Sequence, residues 1–126
     1  MSNEKKGCDC QPSKKLIFSC SGAADVGELA DKAARKMTRD GYGRMYCLAG
    51  IGGAVGAIVD TTKAADAVLA VDGCAVGCTK KLLERAGLTG FEYMELTQMG
   101  FVKGKTEVSD VTVENVVKSG AKMLPD

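Results

Sequence analysis

Short apolar runs and longer stretches of helical period take turns along this chain. Residues 15–20 form the first run, ending at Cys20. Asp25 then opens a stretch in which Val26, Leu29, Ala30, Ala33, Ala34 and Met37 share one helical face. Asp25 and Glu28, three apart, resemble a capping box with Asp in place of Ser or Thr. Gly41 closes that helix. Residues 44–49 make a second run, and the glycine-rich stretch 50–56 leads into a helix carrying Val55, Ile58 and Val59. The third run, Ala67 to Val71, is β-branched and uncharged, as expected of a strand covered on both faces. Thr79 to Ala86 has the period and the Leu/Lys/Glu/Arg content of a helix, ended by Gly87. In residues 91–97 the alternation of Phe91, Tyr93 and Glu95 marks a partly exposed edge strand. Residues 98–108 read as a loop or a short extra strand. A last helix starts near Ser109 or Asp110, with Val113, Val116, Val117, Gly120, Ala121 and Leu124 on one face.

Strand and helix thus alternate four times, and each crossover must return the chain in the same direction. The expected fold is a three-layer α/β sandwich around a mostly parallel sheet of at least four strands, Rossmann-like or flavodoxin-like, in the order 2-1-3-4. At 126 residues the chain is one domain by length. Residues 1–14 are polar, contain Gly7 and Pro12 and show no period, so they read as a flexible tail; residues 15–126 read as a single α/β domain.

Composition narrows the function. With 45% apolar and 26% charged residues the chain is an ordinary globular sequence. A net charge of +1, three Tyr, three Phe and no Trp give neither the field nor the stacking surface that nucleic acid needs. No apolar segment follows the basic N-terminal residues, and no apolar run approaches the roughly 20 residues of a membrane span. The expected location is cytoplasmic, with no membrane partner. In that reducing setting six cysteines point to metal or redox chemistry rather than disulfides. There is no histidine, so nucleophilic mechanisms that use an imidazole base within one chain are excluded. Thiolate ligands select zinc, copper(I) or iron–sulfur centres.

The fold reading gathers four of the cysteines. Cys20, Cys47 and Cys74 fall at or near the C-terminal ends of parallel strands, and Cys78 lies four residues beyond Cys74. Ligands of open α/β sheets bind at that edge, near the switch point. If the third helix begins by about Cys74, both sulfurs of the Cys74/Cys78 pair share one side of its first turn. Zinc sulfurs in a tetrahedron are roughly 3.8 Å apart, less than the strand spacing of about 4.8 Å, so the loops must curl inward to close a site. Simple packing competes for each cysteine, and for Cys78 in particular, which shares a helix face with Leu82 and Ala86. Asp72 serves either an Asp-Gly turn or acid–base chemistry. Gly50, Gly52 and Gly56 only approximate a dinucleotide fingerprint, because the third glycine is displaced and the motif follows the second strand. The loop after Cys20 lacks the arginine of oxyanion-binding cysteine loops, and Lys81 stands where a radical-enzyme cluster motif has its third cysteine.

Cys20-Ser-Gly-Ala, Cys47-Leu-Ala-Gly-Ile-Gly-Gly and Asp72-Gly-Cys-Ala-Val-Gly-Cys, followed by Leu83-Glu-Arg-Ala-Gly, together resemble the DGC domain family of bacterial and archaeal zinc-binding proteins. The likeness covers most of residues 15–103. It implies a zinc site on Cys20, Cys47, Cys74 and Cys78, with no established reaction; Cys8 and Cys10 lie outside it. The expectation is a cytoplasmic zinc-binding protein, with a thiol redox or iron–sulfur protein as the alternative and an unidentified protein partner left open. In a third version, one cysteine is a nucleophile and three bind metal.

Overall fold

The computed structural model describes residues 14–124. A four-stranded, wholly parallel sheet runs in the order β2-β1-β3-β4, formed by β1 (Lys15–Ser19), β2 (Arg44–Met45), β3 (Ala67–Asp72) and β4 (Glu92–Glu95). Helices α1 (Asp25–Arg39) and α5 (Asp110–Ala121) cover one face. Helices α2 (Leu48–Gly52), α3 (Gly56–Lys63) and α4 (Cys78–Arg85) lie on the other. The sandwich is the one the alternation predicts, and the strand order is the flavodoxin-like one expected beside it. The two faces follow from handedness: the chain steps one way from β1 to β2 and the other way from β2 to β3, and right-handed crossovers then need opposite faces. The switch point falls between β1 and β3.

Side-chain alternation builds two cores. Ile17, Leu69 and Val71 enter the core beneath α1 and α5 with Leu29, Met37, Val116 and Val117. Leu16, Phe18 and Ala70 enter the opposite core with Ile51, Leu83 and Leu88. Each such large side chain removed from water contributes about 1.5–3 kcal/mol before entropy is counted. Gly120 lets α5 approach α1, since a Cβ there would stand 2.8 Å from Met37 Sδ. The start of α5 is capped reciprocally: Ser109 Oγ accepts from the Thr112 amide and Thr112 Oγ1 from the Ser109 amide. No helix among the described residues is long and apolar enough to cross a membrane.

Four local expectations are corrected. The second run holds its strand only over Arg44–Met45 and then turns into α2, because the amides of Gly50 and Ile51 fold back onto the Cys47 carbonyl. The short run after Arg44 suits helix and strand equally by pattern. The fourth run stops as a strand at Glu95 and closes in a 3-10 turn, Leu96–Met99. The third helix begins at Cys78, not at Cys74, because Gly77 adopts a left-handed conformation (φ +69°) that interrupts it. Asp25 is the first residue of α1 rather than its cap, which is Ala24. Residues 1–13, with Cys8 and Cys10 and nearly all of the segment read as a tail, lie outside the described residues.

Candidate metal and thiol site at the sheet edge

Cys20 follows the last residue of β1. Its amide still bonds to the Val71 carbonyl at 3.1 Å, so the residue is fixed against β3. Beyond it Ser21 takes a positive φ of 52°, unusual for a residue with a side chain. Asp31 holds that turn: its carboxylate accepts from Ser21 Oγ and from Arg35 Nε, each at 2.7 Å. Burial works against the Asp31 carboxylate, but the hydrogen bonds from Arg35 and Ser21 and the charges of Arg35 and Lys32 prevail and hold its pKa below the ordinary value.

The segment from Asp72 to Cys78 joins β3 to α4, and Asp72, Gly73 and Gly77 each have a physical task in it. Asp72 is buried, and its carboxylate accepts the amides of Thr79 (2.8 Å) and Lys80 (3.1 Å), which would otherwise be orphaned in the first turn of α4. It also accepts from the Tyr93 hydroxyl at 2.9 Å. These donors account for the aspartate structurally, and no acid–base role is needed to explain it. Burial first, and then the hydrogen bond and charge of Asp72, push the Tyr93 phenol well above its ordinary pKa. Gly73 is a close approach: a Cβ there would stand 2.7 Å from the Val26 carbonyl carbon and 2.9 Å from the Gly27 nitrogen. The Gly73 amide donates to Cys20 Sγ at 3.4 Å, which brings the first cysteine against the residue preceding the third.

Cys74 and Cys78 therefore flank a turn, closed by Gly77 N–H on the Cys74 carbonyl at 3.2 Å, rather than sharing one helical turn. Cys78 is exposed, while Thr79 and Leu83 fill the buried face of α4; packing does not account for this cysteine. Cys74 is half-buried, and the Lys103 ammonium donates to its sulfur at 3.6 Å. The loop carrying Lys103 is held by Asp25, whose carboxylate accepts the amides of Gly104 and Thr106, both at 2.9 Å. Those two bonds are the chief reason the Asp25 carboxyl titrates below its ordinary range. Cys47, also exposed, sits immediately before α2. Together with Cys20 it lines a cavity of about 880 Å³ between the end of β2, α1 and α2. Gly50, in the approximate fingerprint, serves packing instead, since a Cβ there would run into the Ile58 side chain of α3.

All four cysteines follow strand ends at one edge of the sheet, a donor set suited to a thiophilic metal. Among the described residues, however, no three Cys, Asp or Glu side chains come close enough together to hold a metal ion. The donor chemistry fits zinc; the side-chain placement does not, and the turns carrying Cys47 and Cys74 would have to draw in. Sequence reasoning missed Asp31, Arg35, Tyr93 and Lys103, which belong to no motif and reach the edge only through tertiary packing. Asp25 and Asp72 were visible, but their partners lie 79 and 21 residues away at Gly104 and Tyr93.

A family model described as the DGC domain matches residues 16–119. The anaerobic and virulence modulator AnvM of Pseudomonas aeruginosa is 33% identical over 88 residues, spanning 70% of this chain and 67% of that protein. No solved structure gives a significant match.

Proposed function

This chain belongs to the DGC domain family, and on that footing we propose that it is a cytosolic protein that holds zinc through the thiolates of Cys20, Cys47, Cys74 and Cys78. The observation that carries the reading is positional. Three adjacent parallel strands each deliver a cysteine just past their C-terminal ends, and the fourth opens the helix after β3. Four thiolates around zinc leave no open position for a substrate, which favours a structural or regulatory role over catalysis. The relative AnvM is a modulator by name, which agrees with that choice. Here Cys20 and Asp72 belong to the stiff part of the site, and the turns around Cys47 and Cys74 to the part that closes.

A second reading, a thiol redox centre on the same residues, is favoured by two observations: Cys47 and Cys78 are exposed, and a lysine ammonium faces the Cys74 sulfur. One experiment separates the two. Protein purified without air is assayed for metal, and its reactive thiols are counted before and after chelation. The zinc reading expects about one zinc per chain, with four thiols unmasked by the chelator. Metal-free protein with those thiols reactive throughout favours the redox reading, and a brown, iron-containing protein favours a cluster.

A further inference from the structure

Strand β2 pairs with β1 only at Leu16↔Arg44 and Ile17↔Met45, so Phe18 and Ser19 have no strand beside them on that side. The notch so formed is the cavity of about 880 Å³, a size suited to a small organic ligand. Its walls differ in character. Met45, Tyr46, Leu48 and Leu82 present apolar surface, while Arg35 and Arg39 stand on α1. Arg35 is committed to Asp31 at 2.7 Å, so this pair is neutral. Arg39 makes no ion pair among the described residues, so apart from the two cysteines the described lining carries one cation without a carboxylate partner.

We propose that this notch binds a small amphipathic monocarboxylate, its carboxylate on Arg39 and its hydrocarbon body along the Met45, Leu48 and Leu82 wall. The Arg39 guanidinium matches a carboxylate head group, and the apolar wall beside it favours an anion that carries a hydrocarbon chain over bare phosphate. Cys20 and Cys47 line the same space, so an occupant would cover both thiols. The proposal goes beyond the metal reading and does not rest on it, because Arg39 is not among the sulfur donors.

Octanoate, octanol and inorganic phosphate serve as probes, titrated calorimetrically into the full chain with its zinc content measured in parallel. Octanoate is expected to bind saturably, and octanol and phosphate at least roughly tenfold more weakly. Arg39→Gln, at an exposed position in the last turn of α1, is expected to weaken octanoate roughly tenfold or more while leaving zinc content at the wild-type level. In metal-free protein octanoate should also slow alkylation of Cys47 by iodoacetamide, an effect absent from the Arg39→Gln variant. The proposal is overturned if octanoate does not saturate, if octanol or phosphate binds as well, or if Arg39→Gln binds octanoate like wild type. Absence of zinc from the wild-type chain purified without air, with octanoate binding intact, would count against the metal reading and not against this one.

Discussion

The Gly73 amide donates to Cys20 Sγ across 53 residues of sequence, at 3.4 Å. That contact requires the β3–α4 turn to lie directly on the N-terminal end of α1, and the backbone distances around Gly73 leave no space for a side chain. Two glycines of the same edge therefore behave differently. Gly73→Ala must push backbone against backbone and is expected to destabilise the fold by about 1–3 kcal/mol or more. Gly22→Ala, where an added Cβ meets nothing within 4 Å, is expected to change stability by no more than about 0.5 kcal/mol. Urea denaturation of the two variants checks the contrast, and equal stabilities would contradict the close approach.

Asp72→Ala removes the acceptor of two amides and one hydroxyl at a buried position. A loss of about 2–5 kcal/mol is expected, with Asp72→Asn milder because an amide oxygen still accepts. Guanidinium denaturation of both variants gives the comparison; an alanine variant as stable as wild type would deny the aspartate its capping task.

Tyr93 supplies a pH test. Its phenol titrates above the ordinary 10.0 in the folded chain, so its contribution to stability is complete below that pH and is lost as pH rises toward the folded value. Wild type is expected to lose stability from about pH 10 upward more steeply than Tyr93→Phe. Parallel slopes in thermal melts over that range would remove Tyr93 as the cause.

Asp25 behaves in the opposite sense. Its carboxyl lies below the ordinary 3.8, chiefly through the amides of Gly104 and Thr106, so its contribution is present above that pH and is lost as pH falls through the lowered folded value. Acidification is expected to release the loop that carries Lys103, and Asp25→Asn to loosen it at neutral pH. Amide exchange protection at Gly104 and Thr106, corrected for the intrinsic pH dependence, reports both; protection unchanged in the variant would mean that the loop is held by something else.

Under the metal reading, Cys20→Ser and Cys74→Ser each lower zinc stoichiometry, and lower the melting temperature if binding is coupled to the folded state. Metal analysis of the two purified variants decides it. Full zinc in both would contradict the ligand roles.

The sandwich and the sheet edge on which Cys20, Cys47, Cys74 and Cys78 fall were legible in the residues alone, whereas the strand order was expected only by likeness to flavodoxin-like sheets and is set by the structure. The sandwich and the edge rest on local rules: buried parallel strands read as apolar runs, helices carry a 3.6 period, and crossovers have one hand. Tertiary structure alone decided how the edge is built. Whether the run after Arg44 continues as a strand depends on what α2 packs against, so periodicity could not foresee that β2 stops after Met45 and leaves a notch. Nor could spacing show that Gly77 turns left-handed and separates Cys74 from Cys78, since a glycine permits that conformation without requiring it. The anchors of the edge are pairs distant in sequence: Asp25 with Thr106, Asp72 with Tyr93, and Lys103 with Cys74. Hydrogen bonds of that kind follow from where folded elements meet, and one chain read residue by residue carries no signal of them.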